Sequence, residues 1–159
     1  MKKLNVDETS FEYDPEDPEG FRAGRIPFRK LLEATKTGVS VYEIPPGQAI
    51  CPYHYEYAEE EWLIVLEGAP LVRTPEGESR LREWDVCVFP TGPAGAHGVR
   101  NDSESETVRV LMFSDVVWPA ATVYPDSDKI GVWVGNDDSA MFRRSTAVDY
   151  YNSEPGLER

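Results

Sequence analysis

The chain has only two histidines, His54 and His97. Each lies in a stretch whose neighbours are turn residues and carboxylates. The first stretch reads GQAICPYHYEYAEEEWLIVLEG, from Gly47 to Gly68, and the second reads WDVCVFPTGPAGAHGVRN, from Trp84 to Asn101. Side chains on a β-strand alternate faces, so His54 and Glu56 share one face while Tyr53, Tyr55 and Tyr57 share the other. If His54 points inward, Glu56 does too, and the next strand must bring Glu61 alongside, with Leu63 and Val65 on the same inner face. Two neutral imidazoles with one or two carboxylates suit a divalent first-row ion: zinc, manganese, iron(II), nickel or cobalt. Two histidines plus one carboxylate is also the facial set of non-haem iron oxygenases.

The spacings within the two stretches are distinctive. His54-x-Glu56 is followed after four residues by Glu61 and after six more by Gly68; Pro90-x-Gly92 is followed after four residues by His97 and after three more by Asn101. This pairing resembles the two motifs of the cupin superfamily, small β-barrels that usually hold a metal ion. The resemblance implies an all-β fold, a cupin-type double-stranded β-helix or jelly-roll barrel, with His54, Glu56, Glu61 and His97 as metal ligands. The spacing to Gly68 selects Glu61 over its neighbours Glu59 and Glu60. Four features depart from the family pattern. Glu56 stands where the family has a second histidine, and Trp84 stands in place of an opening glycine. One extra residue separates Gly47 from His54, and the proline-glycine turn lies two residues further from His97. A coordinating Glu56 would harden the site toward manganese or iron and lower its Lewis acidity. A non-coordinating Glu56 would leave a position open for water or substrate. The whole chain is also similar to a group of bacterial single-domain cupins that end in a segment like VYPDSDKIGVW, here Val123 to Trp133, a group that brings no activity with it.

The elements that must position these residues read as short strands. GVSVYEIPPG ends in a Pro-Pro-Gly turn, PYHYEY follows, and EEWLIVLEG stops at glycine. PLVRTPEGESRLRE reads as a hairpin about Pro75-Glu76-Gly77, DVCVFP as a short buried strand, and TVRVLMFS as another. Strands of this length with frequent turn signals argue a barrel or sandwich. IPFRKLLEATKT, Ile26 to Thr37, fits either one helical turn or a strand. Residues 1–26 form an acidic N-terminal arm in which Pro15 and Pro18 exclude a regular helix. That arm is either solvated or laid along the barrel through Phe11, Tyr13 and Phe21. The barrel is expected over 27–114, and 115–159 as a C-terminal segment and tail packed on it.

Length suits one domain. A net charge of −13 opposes binding to nucleic acid or to anionic membranes. No apolar run is long enough for a transmembrane helix, and the N-terminus does not read as a signal peptide, so cytoplasmic residence is expected. Cys51 and Cys87 fit neither a redox pair nor a zinc-finger spacing and read as two buried thiols. Tyr55, Trp62 and Ile64 suggest an apolar outer face and hence a homodimer. Trp84, Pro90, Gly92 and Asn101 read as structural, and Lys129 as paired with Asp126 or Asp128 on the surface. The functional expectation is a metal-binding protein acting on a small oxygen-rich metabolite (sugar, keto acid or phenolic) by isomerase, lyase or dioxygenase chemistry. The alternative is a non-catalytic module that binds or senses a small ligand or metal.

Overall fold

Alternation along the strands determines which residues meet inside. The structure, a computed structural model, describes residues 1–156. After a polar arm, β1 (Gly24–Pro27) runs directly into α1 (Phe28–Leu32), followed by β2 (Thr37–Ile44), β3 (Tyr55–Glu56), β4 (Glu61–Glu67), β5 (Leu71–Thr74) and β6 (Gly77–Arg80). Then come β7 (Val86–Phe89), β8 (Gly98–Arg100), β9 (Val108–Asp115), β10 (Ala120–Tyr124), β11 (Lys129–Trp133) and β12 (Ala140–Arg143). A five-stranded sheet has the order β1-β2-β9-β4-β7. Opposite it, β12-β11-β10-β3 and β6-β5-β8 are joined by isolated bridges, Ala49 to Arg100 and His54 to His97. The strand pairings are antiparallel, as the jelly-roll expectation requires.

The inner faces of the two layers meet in one core of Ile44, Leu63, Val65, Val72, Phe89, Val99, Val108 and Val110. Each fully buried side chain of this kind contributes about 1.5–3 kcal/mol. Asn101 is 1% exposed and closes the end of this layer, donating from Nδ2 to the carbonyls of Ile44 and Glu106 at 2.8 and 2.7 Å. Its structural assignment holds. The turn before β7 carries Trp84 at φ +72°. This is the left-handed backbone that glycine adopts without penalty.

The N-terminal arm is laid along the barrel. Glu12 and Arg25 exchange two backbone hydrogen bonds at 2.9 Å, and Phe11 packs on a cluster of Ile26, Phe28 and Val41 on the outer face of the large sheet. The segment from Ile26 to Thr37 uses both of its options. Pro27 ends β1, and a single helical turn follows, anchored by buried Phe28 and stopped by Glu33 in the left-handed conformation. Strand β7 differs from expectation. Phe89 is buried, but Val86 and Val88 are 57% and 44% exposed, because they project from the outer face where the chain supplies no cover. The C-terminal segment does more than wrap the barrel, since β10 is hydrogen-bonded to β3 and carries β11 and β12 beyond it. No helix among the described residues is long and apolar enough to cross a membrane.

Candidate metal centre

His54 and His97 face each other across the bridge between the small sheets. His54 N–H donates to His97 O at 3.0 Å and His97 N–H donates to His54 O at 2.8 Å, so the two backbones are locked in register. Both imidazoles are buried, at 7% and 2% exposure. Their Nδ1 atoms lie 3.0 Å from Pro52 O and 2.9 Å from Gly95 O. A carbonyl can only accept, so each Nδ1 carries a proton, and each ring when neutral presents the Nε2 lone pair to the interior.

The turn that delivers His97 allows no side chain at Gly95. A Cβ there would lie 1.7 Å from Pro90 O. Gly92, at φ +80°, donates to Glu56 O at 2.7 Å and ties the same turn to β3. The motif reading singled out Gly92 and missed Gly95, which no spacing marks.

Glu61 opens β4 on the inner face, and its Oε2 lies 3.5 Å from His54 Nε2 and 3.4 Å from His97 Nε2. The ligand atoms of His54, Glu61 and His97 all fall within 4.8 Å of one another. Glu61 Oε2 and His97 Nε2 are buried without any hydrogen-bond partner. A carboxylate oxygen and an imine nitrogen, both acceptors, are thus aimed at the same point, an arrangement that a cation resolves. Electrostatics point the same way. Burial pushes His97 down to about 4, against the pull of Glu61, so its ring is neutral at physiological pH. Burial would raise Glu61, but the two histidines hold it below the usual carboxylate range. Burial lowers His54, but contacts with the Cys51 sulfur and Glu61 outweigh it and carry the ring to about 11. The protein alone therefore draws a proton to this spot, as it would draw a metal ion.

Glu56 stands at the edge of the cluster, its Oε1 4.0 Å from His54 Nε2. Thr122 Oγ1 lies 2.8 and 2.7 Å from its two oxygens and 2.7 Å from Trp133 Nε1. An indole N–H can only donate, so the threonine proton is directed to Glu56. Burial raises the Glu56 pKa, against the Thr122 hydrogen bond, and Glu61 adds to the rise. Thr122 and Trp133 were not legible as site residues, because they reach the centre only through the pairing of β10 with β3.

Lys129 does not pair with either aspartate. Asp126 holds Arg73 and Asp128 accepts from Ser145 N–H, while Lys129 Nζ sits 5.3 Å above the Tyr124 ring. Tyr124 in turn stacks on His54, with centroids 5.8 Å apart. Tyr55, expected on an outer face, is 6% exposed and packs with Ala96 and Val123. Trp62 stacks on Phe113 on the outside of the large sheet.

The comparisons agree with this geometry. The sequence profile of the cupin domain matches residues 40–114, a span that contains His54, Glu61 and His97. Residues 40–114 are a cupin domain. Solved structures extend the likeness in fold across most of the chain. A proposed sugar phosphate isomerase from Acidithiobacillus ferrooxidans is 20% identical, with a TM-score of 0.81 over 92% of this chain and 95% of its own. A sugar phosphate isomerase from Silicibacter pomeroyi is 18% identical, with a TM-score of 0.80 over 95% and 98%. The polyketide cyclase RemF from Streptomyces resistomycificus is 17% identical, with a TM-score of 0.59 over 72% and 79%. At these identities the likeness establishes the cupin fold. No curated protein matches the chain by sequence.

Proposed function

We propose that this cupin is a metal-dependent enzyme that moves a proton on a small oxygen-rich substrate, as a sugar or keto-acid isomerase or lyase does. The observation that carries the reading is the pair of orphaned acceptors, Glu61 Oε2 and His97 Nε2, beside a carboxylate held by a separate relay. His54, Glu61 and His97 would hold the ion, and three protein ligands leave positions open for substrate. When bound, a divalent ion polarises a substrate carbonyl or hydroxyl and acidifies the adjacent C–H bond. Glu56 takes up the proton and returns it to the neighbouring carbon. Thr122 and Trp133 fix the carboxylate's orientation while it does so. The names of the two neighbours that superpose over most of the chain favour isomerase over dioxygenase chemistry.

We further infer a homodimer through the outer face of the large sheet. Cytoplasmic residence is supported by Cys51 and Cys87, which remain free thiols. The test is isotope exchange. Protein loaded separately with zinc, manganese, iron(II) and nickel is incubated in deuterium oxide with a panel of sugars, sugar phosphates and keto acids, and C–H loss is followed by proton NMR. Exchange with one class of substrate, absent in Glu56→Gln, is expected. Metal-loaded protein that exchanges none of them would sink the enzymatic reading in favour of a binding module.

A further inference from the structure

Glu61 also lines a cavity of about 220 Å³ whose wall carries Arg25 and Arg29. Arg25 pairs across β1 and β2 with Tyr42, so it projects from the inner face of the large sheet. Its Nε donates to Ser40 Oγ at 3.0 Å and its guanidinium lies 5.8 Å over the Tyr42 ring. Arg29 extends from α1, and its Nε is buried with no hydrogen-bond partner. Neither arginine forms an ion pair among the described residues. This is a chain of 29 acidic and 16 basic residues, in which a carboxylate is rarely far away. Arg22, Arg73, Arg80, Arg82, Arg100 and Arg109 each have one. Arg143 and Arg144, also without an ion pair, are exposed, as Arg25 is; Arg29 is the half-buried one. Glu59, on the same cavity wall, is engaged by the Val117 N–H at 3.2 Å.

A desolvated guanidinium edge with nothing to donate to is costly unless a ligand completes it, and its planar fork matches an oxyanion. The geometry points to an anion subsite: Arg25 and Arg29 bind the phosphate or carboxylate group of a small substrate whose other oxygens reach the metal centre. The inference adds a substrate class to the proposed function and rests on that reading only for the second set of oxygens. Arg25 closes the subsite from the solvent side, and Arg29 contacts the anion from the wall.

Titration calorimetry at low ionic strength tests the subsite, with inorganic phosphate and malonate as separate probes of the two anion types. Wild type, Arg25→Gln and Arg29→Gln are compared as purified and after chelation, with bound metal counted by mass spectrometry on the same samples. At least one probe is expected to bind saturably to wild type, before and after chelation, and at least about tenfold more weakly to either variant. The variants should keep the wild-type metal content. Where Arg29→Gln lowers folding by circular dichroism, the solvent-facing Arg25→Gln decides the matter. No saturable binding of either anion to wild type, or wild-type affinity in the folded variants, would overturn the subsite. Anion binding that depends on the arginines, in a protein that neither holds metal as purified nor takes any up when it is added, would leave the subsite standing and remove the metal-dependent reading instead.

Discussion

The Phe89 ring lies flat on the imidazole of His97, with centroids 3.8 Å apart and planes 8° from parallel. Phe89 ends the edge strand β7, and His97 begins the return after the glycine turn, so one aromatic contact links the barrel core to the metal centre. Phe89→Ala should cost about 3–5 kcal/mol of stability and loosen the ring that presents Nε2. Denaturant melts joined to metal titration check both effects. Unchanged metal affinity in a folded variant would assign the ring's orientation to the Gly95 carbonyl alone.

Removing either imidazole should empty the site without unfolding the barrel. His54→Ala and His97→Ala are each expected to lose stoichiometric metal by mass spectrometry while keeping a β-type circular dichroism spectrum. A full equivalent of metal in both variants would refute the ligand assignment.

Glu56 separates coordination from chemistry. Glu56→Gln keeps an acceptor for the Thr122 hydroxyl and should retain its metal, while proton exchange falls by roughly 10²–10⁴-fold. Loss of the metal instead would place Glu56 among the ligands, as the cupin resemblance of the sequence implies. Thr122→Val should give an intermediate loss of exchange with metal intact.

Trp62, Ile64, Phe113 and the exposed Val86 and Val88 share one outer face of the large sheet. An apolar surface of this kind is stable when a second copy covers it. Light scattering should report twice the chain mass of 17.9 kDa, and Val88→Glu should halve it. A wild-type protein that stays monomeric at high micromolar concentration would discard the dimer.

The arm is fastened by a pH-sensitive clasp. Tyr13 Oη donates to Glu43 Oε1 at 2.7 Å, and Arg109 donates to Glu43 Oε2 at 2.9 and 2.6 Å. Burial would raise Glu43, but Tyr13 and Arg109 hold it below its ordinary 4.5, so its contribution is present above that value and is lost as pH falls through the lowered one. Burial, and then Glu43, push Tyr13 up to about 12, so its contribution is present below 10 and is lost as pH rises through about 12. Tyr13→Phe should cost about 1 kcal/mol, shrink the alkaline limb of the stability profile, to which Tyr124 also contributes, and expose the arm to protease. Urea midpoints measured along both limbs would test the sign of each term.

The cluster of His54, Glu61 and His97 was readable because its members lie within short motifs of distinctive spacing. Parity puts Glu56 on the face of His54 and Glu61 on the inner face of Leu63 and Val65, and the glycine turn announces His97. Thr122 and Trp133 carry no comparable mark. They become site residues only when β10 pairs with β3, a long-range register that no local pattern specifies. Arg25 and Arg29 are hidden for a related reason. Arg29 lies in the stretch ambiguous between strand and helix, and Arg25 at the end of the arm before it. The structure switches from strand to helix at Pro27, with both arginines lining the same cavity. Val86 and Val88 misled because an alternating apolar strand looks buried on both sides when its neighbours are unknown.

His54, Glu61 and His97, whose ligand atoms converge, all lie within residues 40–114, and so does Glu56. Thr122 and Trp133 come from the chain beyond that span, and Arg25 and Arg29 from the chain before it. The residues that could hold an ion are therefore encoded apart from those that support Glu56 and from the two arginines of the proposed anion subsite. Exchanging the flanks would leave that cluster and Glu56 in place while changing the support of the Glu56 carboxylate and the substrate handle. Grafting the two flanks onto another metal-holding cupin barrel is the engineering route that this division opens.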